Sequence, residues 1–471
     1  MGEKKPVNLF DPYSIKNVTF KNRVVRSSLG GRMAYYDGTV NPTFRNFEKK
    51  FAKHRVAGII TATIDVDDKR LSPLEYPKIS RDEFVDPLKD AVTAVRALDC
   101  NYIVQIGDPG GQTQTSLFSQ EEDGKSASAW FDLFYGYRNR TTAMTLAEIQ
   151  DEVRKFAQAA RRVKSAGANG VEVTASKGYI IHQFLNPATN RRDDDYGGDE
   201  SRRFRLLREV VQAVREEVGP DYLFGVRLSA QDFNYLPFWT FRWPPVLPLK
   251  NWWMGNTMKE TITYGHKLKE LGVDYLHIDS GFGFINPKGS PSDGYPLEGI
   301  KVFANATRHL SRKAAVRAVA VNLLPDALTK RILGIGWRYT EAANAHFARE
   351  FKKHVGLPVI ANGGFQNRST IEAALESDCD LVAIGRPLLA SPDLLDQYRD
   401  DPSRDCPKNP CSWCSLCCTK TAVLPVGCYD IRRFGGPNDP TAQDRMEDQI
   451  LHLSADHSPE PDPPQRTAET A

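Results

Sequence analysis

The sequence lacks a marked excess of charge of either sign, and it lacks long apolar runs. Its 62 Lys and Arg residues nearly balance its 59 Asp and Glu residues, and no basic stripe carries the interleaved aromatic side chains that bind a nucleic-acid backbone. No apolar stretch is long enough to cross a membrane, and the N-terminus carries neither a secretory hydrophobic region nor a myristoylation signal. The sequence therefore predicts a cytoplasmic protein with no nucleic-acid partner and no membrane partner.

Cysteine is scarce outside one short segment. Of the eight cysteines, six lie between Cys406 and Cys428, and this clustering suits a metal site in a reducing compartment better than dispersed disulfides. The sequence also has no G-x-G-x-x-G motif after an apolar strand. We therefore predict no separate dinucleotide-binding domain.

Short apolar or β-branched runs alternate with amphipathic helical patterns along the chain. This alternation predicts a closed parallel (β/α)8 TIM barrel. Two helices carry the signature of a capping box, one at Thr145 and Glu148 and one at Ser369 and Glu372. The eight predicted strands are residues 23–26, 58–64, 102–106, 170–174, 224–228, 275–278, 359–361 and 381–384.

The barrel is predicted to span residues 1–400, with insertions at 231–257 after the fifth strand and from 281 to about 340 after the sixth. A cysteine-rich segment, residues 401–432, follows it, and the polar and Pro-rich residues 433–471 are predicted to be disordered. The first insertion fits either a lid over an apolar or cationic substrate or a packed cap at a homo-oligomer interface. It contains four of the seven tryptophans, Trp239, Trp243, Trp252 and Trp253.

One stretch carries a family resemblance. Residues 167–204 read G-A-N-G-V-E-V-T-A-S-K-G-Y-I-I-H-Q-F-L-N-P-A-T-N-R-R-D-D-D-Y-G-G-D-E-S-R-R-F. They closely resemble the old yellow enzyme (NADH:flavin oxidoreductase) family of FMN-dependent enzymes, especially the branch that contains 2,4-dienoyl-CoA reductase and trimethylamine dehydrogenase. The resemblance implies a flavin site at the carboxyl ends of the barrel strands, where such barrels hold their ligands.

In that family a His and a His or Asn bind a substrate carbonyl, and a Tyr donates a proton. The matching positions here are Thr174, Lys177 and Tyr179, so the resemblance implies that the proton donor is kept and the imidazole pair is replaced. A structural Tyr179 is the alternative. Lys177, if desolvated, can hydrogen-bond a carbonyl, bind a carboxylate or form a Schiff base, or its ammonium can instead reach solvent.

The resemblance also implies the FMN contacts. The backbone of Ser27, Ser28 and Leu29 is expected against the isoalloxazine, Gln105 at the flavin pyrimidine, and Arg227 near flavin N1, where a cation stabilises the reduced anion. Gly30 stands where relatives often carry Thr or Cys near the flavin edge. After the last two strands, glycines and a basic residue predict the usual phosphate position of such barrels, at Gly363, Gly364, Gly385 and Arg386.

The cysteine-rich segment resembles the iron–sulfur segment of the dienoyl-CoA reductase branch. Cys411, Cys414 and Cys428 match directly, and either Cys417 or Cys418 is the third ligand of the series. A [4Fe-4S] cluster is favoured, with structural zinc or an unmetallated remnant as alternatives. Because a mostly polar stretch follows it, the cluster is expected either to need an electron-transfer partner protein or to be structural.

These observations predict an FMN-dependent oxidoreductase acting on a small molecule. The leading reaction is NAD(P)H-dependent reduction of an activated C=C bond. One alternative is a flavin-dependent amine or C–H dehydrogenase, which the aromatic insertion motivates. A second is a flavin-binding protein without redox turnover, which the missing imidazoles motivate.

Overall fold

The strands and their pairing confirm the predicted barrel. The structure is a computed structural model that describes residues 6–69, 76–113, 124–129, 141–233, 255–283, 286, 292–335, 337–421 and 423–451. Its strands are β1 (Tyr13–Ile15), β2 (Val18–Phe20), β3 (Val24–Arg26), β4 (Gly58–Ile60), β5 (Ile64–Asp65), β6 (Asn101–Gly107), β7 (Gly124–Ser126), β8 (Thr141–Ala143), β9 (Gly170–Ala175), β10 (Leu223–Ser229), β11 (Tyr275–Asp279), β12 (Val359–Asn362) and β13 (Leu381–Ile384).

The barrel sheet runs in the order β4, β3, β13, β12, β11, β10, β9, β6, β5, and a further β4–β6 pairing closes it. All of these pairs are parallel. The antiparallel hairpin of β1 and β2 precedes the barrel, and its Phe20 packs with interior barrel residues such as Ile60 and Tyr275. The side chains of this hairpin therefore complete the core at one end of the barrel.

The helices surround this sheet. They are α1 (Pro42–Ala52), α2 (Val85–Arg96), α3 (Leu146–Ser165), α4 (Ile180–Leu185), α5 (Glu200–Arg203), α6 (Arg205–Val218), α7 (Met258–Glu270), α8 (Leu297–Thr307), α9 (Arg312–Asn322), α10 (Asp326–Leu333), α11 (Ala345–Val355), α12 (Arg368–Ser377), α13 (Arg386–Ala390), α14 (Leu394–Asp400), α15 (Leu416–Lys420) and α16 (Ala442–Leu451). Short 3-10 turns lie at Asp82–Phe84, Gly110–Gln112 and Ile431–Phe434.

The predicted second strand is interrupted. β4 and β5 are separated at residues 61–63, where the Thr61 hydroxyl oxygen accepts the backbone N–H of Gln105 at 3.0 Å. A side-chain oxygen thus takes a ladder position, which is one way that Thr competes with regular backbone pairing.

Only one of the two predicted capping boxes forms. The Thr145 hydroxyl accepts the Glu148 N–H, and the Glu148 carboxylate accepts the Thr145 N–H, so α3 starts as predicted. The prediction of a capping box at Ser369 and Glu372 is wrong. The Ser369 N–H instead donates to the Asp405 carboxylate at 2.7 Å, because the chain after α14 returns to the start of α12 and supplies a closer acceptor.

The second insertion holds α8, α9 and α10, which form a small core of their own that includes Tyr295, Ile300, Val321 and Trp337. In the first insertion residues 234–254, with all four tryptophans, lie outside the described residues. A further excursion, missed in the sequence, follows β6 and contains the parallel pair β7 and β8. In the part of the chain that the structure describes, no helix is long and apolar enough to cross a membrane.

The prediction of disorder from residue 433 onwards is wrong for the part of that stretch up to residue 451. Residues 442–451 form α16, whose Met446 and Ile450 pack against Leu416 and Tyr429 of the cysteine-rich segment. Two apolar side chains four residues apart lie on one helix face, which gives this polar stretch enough apolar surface to dock. Residues 452–471 lie outside the described residues.

Candidate active site

Of the three predicted substrate-site residues, Thr174 lies near the end of β9, and Lys177 and Tyr179 lie in the tight turn that follows it. Lys177 has φ 54° and Gly178 has φ 80°, so the chain reverses through two consecutive left-handed residues, a strained arrangement for a lysine. Tyr179 then begins α4 as its cap. Thr174, Lys177 and Tyr179 are each less than 7% exposed. The structure therefore brings them together at the carboxyl end of β9.

Gly107 makes room for two of these side chains. A Cβ at Gly107 would lie 2.6 Å from Thr174 Cγ2 and 3.4 Å from Tyr179 Cδ1. Because β6 carries no side chain there, the Thr174 methyl group and the Tyr179 ring pack directly against the strand. This contact sets the position of the Tyr179 ring at the mouth of the barrel.

Lys177 is paired with a carboxylate inside the site. Its Nζ lies 3.0 Å from Asp279 Oδ1 and donates to the Ser280 carbonyl at 2.9 Å. The same Asp279 accepts a hydrogen bond from Arg227 Nη2 at 2.5 Å. The alternative in which the Lys177 ammonium reaches solvent is therefore wrong, because its side chain is only 7% exposed and its charge is neutralised within the barrel.

The electrostatics of this triad follow from burial and charge. Burial lowers the pKa of Lys177 below its usual value, and the nearby Arg227 adds to this, although Asp279 opposes it. Burial would raise the pKa of Asp279, but the charges of Lys177 and Arg227 outweigh it and lower that pKa. The carboxylate thus stays ionised and holds two cations at the carboxyl ends of β10 and the β9 turn.

A second carboxylate lies deeper in the barrel. Glu172 accepts hydrogen bonds from Gln105 Nε2 at 2.6 Å and the Tyr275 hydroxyl at 3.0 Å, and it lies 3.1 Å from His277 Nδ1. Burial would raise the pKa of Glu172, but the charge and hydrogen bond of His277 lower it. This network packs beneath the strand ends and orients Gln105 from below.

Gln105 already has protein partners at both ends of its amide. Besides donating to Glu172, it accepts from the Thr63 hydroxyl at 2.6 Å and the Ser28 hydroxyl at 3.1 Å. Ser28 and Gln105, two predicted flavin contacts from distant parts of the sequence, are thus in direct contact. Because the amide nitrogen of Gln105 carries two hydrogens, a hydrogen bond from Gln105 to the flavin is compatible with its bond to Glu172.

The first and last strands bring the other predicted cofactor residues together. The Ser27 N–H donates to the Ile384 carbonyl at 2.9 Å, and a Cβ at Gly385 would lie 3.3 Å from Leu29 Cδ2. Gly363 and Gly364 follow β12 with φ 111° and 86°, a region that favours glycine. The backbone of Ser27–Leu29 and the glycines after β12 and β13 therefore line adjacent strand ends, as predicted.

Arg386 lies between this region and the cysteine-rich segment. Its Nη1 donates to Ser415 Oγ at 2.8 Å, and its guanidinium stacks over the Trp413 ring at 5.0 Å. Trp413 in turn stacks on Tyr339 at 4.2 Å. The predicted phosphate-binding cation thus also connects the barrel to the cysteines.

Several buried donors in the site have no hydrogen-bond partner among the described residues. They are Arg227 Nε, Gln112 Nε2 and Ser176 Oγ. An unsatisfied buried donor is costly, and each of these three can donate to a polar atom of a ligand bound in the site. Together with the glycine-lined ends of β12 and β13, this donor set fits FMN, whose isoalloxazine and phosphate are rich in acceptors.

Tyr76 is a site residue that the sequence did not reveal. A Cβ at Gly30 would lie 2.2 Å from the Tyr76 hydroxyl oxygen and 2.6 Å from its Cε1, so the phenol occupies the space that any side chain at Gly30 would need. Burial raises the pKa of Tyr76 well above its usual value, and the nearby Tyr179 and Cys418 add to this. A second phenol therefore stands beside Tyr179.

The cysteine-rich segment folds into a knuckle. Trp413 and Ser415, on either side of Cys414, both have φ 58°, which turns the chain tightly enough to gather the thiols. Cys428 Sγ accepts from Arg433 Nη1 at 3.2 Å. One small cavity beside Arg386 is lined by Cys411, Cys414, Cys417 and Cys428.

Cys418 is not among the residues that line this cavity, although its Sγ lies 4.0 Å from Cys417 Sγ. Its hydrogen bond with Cys417, the Arg386 charge and the Lys177 charge lower its pKa, although burial opposes this. Thiolates gathered in this way can hold either a structural zinc ion or an iron–sulfur cluster.

These features define a barrel flavoprotein oxidoreductase. The model of the family described as "NADH:flavin oxidoreductase / NADH oxidase family" matches residues 8–236, and that of "Dihydrouridine synthase (Dus)" matches residues 337–424. The chain is 31% identical over 325 residues to an NADPH dehydrogenase of Geobacillus sp. (strain WCH70), covering 68% of this chain and 84% of that one. The chain belongs to the NADH:flavin oxidoreductase (old yellow enzyme) family, and it is an FMN-dependent oxidoreductase that uses NAD(P)H.

Other relatives agree with this assignment. An NADH oxidase of Thermoanaerobacter brockii is 26% identical over 87% of this chain, which spans 53% of that protein. Among solved structures, a 2-naphthoyl-CoA reductase complex superposes with TM-score 0.69 at 20% identity, covering 93% of this chain and 58% of the other. Morphinone reductase superposes with TM-score 0.62 at 21% identity, covering 87% and 93%. At these identities the structural likeness shows the fold alone.

The sequence contained a signal for two of the missed residues. Glu172 lies in an apolar strand two residues before Thr174, so both side chains lie on the same face of β9. Asp279 ends the apolar β11 one strand away from Arg227, and a charge at the end of a buried strand indicates a partner or a ligand. Tyr76 had no such signal, because its contact with Gly30 joins residues far apart in the chain.

Proposed function

We propose that the protein reduces an activated C=C bond of an organic small molecule with NAD(P)H. The observation that carries this proposal is the buried phenol of Tyr179, which is held at the barrel mouth beside Thr174 and the Lys177–Asp279–Arg227 triad. FMN, when bound, supplies the hydride transfer. Tyr179 supplies the matching proton from its hydroxyl oxygen, so that one hydride and one proton add across the double bond.

The replaced imidazoles need a substitute for anchoring the activating oxygen of the substrate. We assign this role to Lys177 and Thr174. Asp279 and the Ser280 carbonyl hold the Lys177 ammonium in place, so it can act as a preorganised donor. Arg227 is paired in register with Thr174 on the neighbouring strand, and its guanidinium would stabilise negative charge on a bound flavin.

The test separates the two half-reactions. In anaerobic absorbance experiments, NAD(P)H is expected to bleach the bound flavin and a panel of enones to restore it. In Tyr179→Phe the NAD(P)H step is expected to be unchanged, whereas reoxidation by enone slows by about 10²-fold or more, the usual contribution of a general acid.

Tyr222→Phe is the matched control, since its hydroxyl donates to the Ala168 carbonyl away from the site. An enone step of normal speed in Tyr179→Phe refutes the role of Tyr179. Reduction of the flavin by amines in the absence of NAD(P)H would instead favour the dehydrogenase alternative.

We further propose that Cys411, Cys414, Cys417 and Cys428 hold a [4Fe-4S] cluster. The cavity that these four cysteines share supports this choice. Cys417→Ser is expected to lose bound iron and acid-labile sulfide after anaerobic purification, whereas Cys418→Ser keeps both. The reverse result assigns the cluster to Cys418, and full zinc occupancy in place of iron rejects the cluster.

An electron-transfer partner protein, a homo-oligomer and a cytoplasmic location stay predictions from the sequence. Arg386 joins the knuckle to the predicted phosphate site, because its side chain contacts Ser415 and its backbone follows β13.

A further inference from the structure

The second insertion exposes an aliphatic face. Of the eleven large hydrophobic side chains that are exposed in the described chain, seven lie between residues 316 and 335. Such a cluster covers on the order of several hundred Å², a size that marks an interaction site. The aliphatic face consists of Val316 (59% exposed), Val319 (66%), Leu323 (73%), Leu324 (40%), Leu328 (43%), Ile332 (48%) and Ile335 (75%).

The helices that carry this face are anchored by their opposite side. Ala318 and Val321 of α9 pack in the small core with Ile300 of α8. Arg317 donates to the Thr307 hydroxyl at 2.7 Å, and its guanidinium lies 4.3 Å from the centre of the Phe303 ring. The aliphatic face therefore points away from this small core. Its exposure does not come from incomplete packing of the core.

Exposed cations accompany the aliphatic face. Residues 308–338 contain one acidic residue, Asp326, and it is bound to Lys301. The exposed basic residues of the same stretch are Arg308, Arg312, Lys330, Arg331 and Arg338. Pairing of this face with a second copy of itself would bring like charges together, which is unfavourable. The surface therefore fits an apolar partner that is bordered by negative charge.

We propose that this face binds the surface of a membrane that contains anionic lipids. Its exposed hydrophobic side chains are all aliphatic, with none of the Tyr or Trp anchors that are enriched at protein interfaces. An acyl layer accepts Val, Leu and Ile side chains without shape complementarity, and lipid phosphates attract the surrounding cations.

The geometry is that of a protein that lies on the membrane. α9 has 11 residues and α10 has 8, whereas a spanning helix needs about 20. This inference differs from the sequence-based prediction of no membrane partner, which considered long apolar runs. It is independent of the reaction that the site performs.

The experiment is co-sedimentation of the holoenzyme with lipid vesicles. The protein is expected to sediment with vesicles of mixed phosphatidylglycerol and phosphatidylcholine and to be released by salt. It is expected to stay in solution with phosphatidylcholine alone. Leu323→Glu/Ile335→Glu should abolish binding, and Lys330→Glu/Arg331→Glu should weaken it on the order of tenfold or more.

Matched controls keep the test specific. Leu146→Glu places the same charge at another exposed leucine, and Lys259→Glu/Lys353→Glu reverses two exposed lysines elsewhere; both should bind like the parent. Normal FMN content and thermal unfolding confirm that each variant is folded.

Two results overturn the proposal. One is equal sedimentation of the parent and the Leu323→Glu/Ile335→Glu variant. The other is a failure of the parent protein to bind anionic vesicles. That failure overturns the proposal even if light scattering shows that the face forms a dimer, or binds an acidic protein, and that the variant loses this association.

Discussion

Asp279→Asn tests whether the buried triad is as tightly coupled as its geometry indicates. The substitution keeps the shape of the side chain but removes the charge that lies 3.0 Å from Lys177 Nζ and 2.5 Å from Arg227 Nη2. The two cations have side-chain exposures of only 7% and 9%. Removing one partner from such a buried pair leaves uncompensated charge, and we expect the free energy of unfolding to fall by about 3–5 kcal/mol.

The measurement is urea unfolding of the apoprotein, followed by tryptophan fluorescence, so that cofactor binding does not contribute. Asp274→Asn is the control. Asp274 also binds two cations, Lys16 and Arg215, but their side chains are 34% and 15% exposed. Solvent screens those pairs, and we expect that substitution to cost about 1 kcal/mol.

A third variant removes the alternative that the asparagine merely fits badly. In Asp279→Asn/Lys177→Met one stranded cation is gone, so part of the lost stability should return. If Asp279→Asn costs no more than Asp274→Asn, or if Lys177→Met adds a further full loss, the triad is not a coupled charge network and the reasoning fails.

Two further predictions concern neighbouring residues. Gly30→Ala should lower thermal stability and weaken FMN binding, because its Cβ would lie 2.2 Å from the Tyr76 hydroxyl. Adding Tyr76→Ala to the same chain should restore both properties. If Gly30→Ala changes neither stability nor FMN binding, the contact with Tyr76 is contradicted. Burial would raise the pKa of Glu172, but the charge and hydrogen bond of His277 hold it below its usual value in the folded protein. Its stabilisation is therefore full above a pH of about 4.3 and is lost as pH falls through the lowered folded pKa. Unfolding of Glu172→Gln should therefore depend less on pH below about 4.3, and an unchanged acid limb argues against ionised Glu172 beside His277.

The sequence predicted the barrel because its signal is local. Each strand is a short apolar run, and Thr145 and Glu148 form a capping box within four residues, so near neighbours are enough to determine these elements. The capping box at Ser369 failed for the opposite reason, since its acceptor, Asp405, comes from 36 residues away. The β7–β8 excursion was missed because short strands such as Gly124–Ser126 carry almost no apolar signal.

The candidate site divides in the same way. Motif residues such as Arg227 and Tyr179 were named from the family resemblance, and both lie at one mouth of the barrel. The sequence did not distinguish Cys417 from Cys418 as a ligand, because their distances along the chain from the other cysteines differ by only one residue. Their different environments depend on how α15 turns beside Arg386.

By itself, the sequence determined the order of strands and helices, the family and the replacement of the imidazole pair by Thr174 and Lys177. Only the tertiary structure decided that Lys177 is held by Asp279, that Tyr76 fills the space beside Gly30, and that α9 and α10 expose an aliphatic face. The reason is physical: periodicity and motifs record what a residue does for its near neighbours, whereas charge pairing, close packing and exposure depend on residues that only the closed barrel brings together.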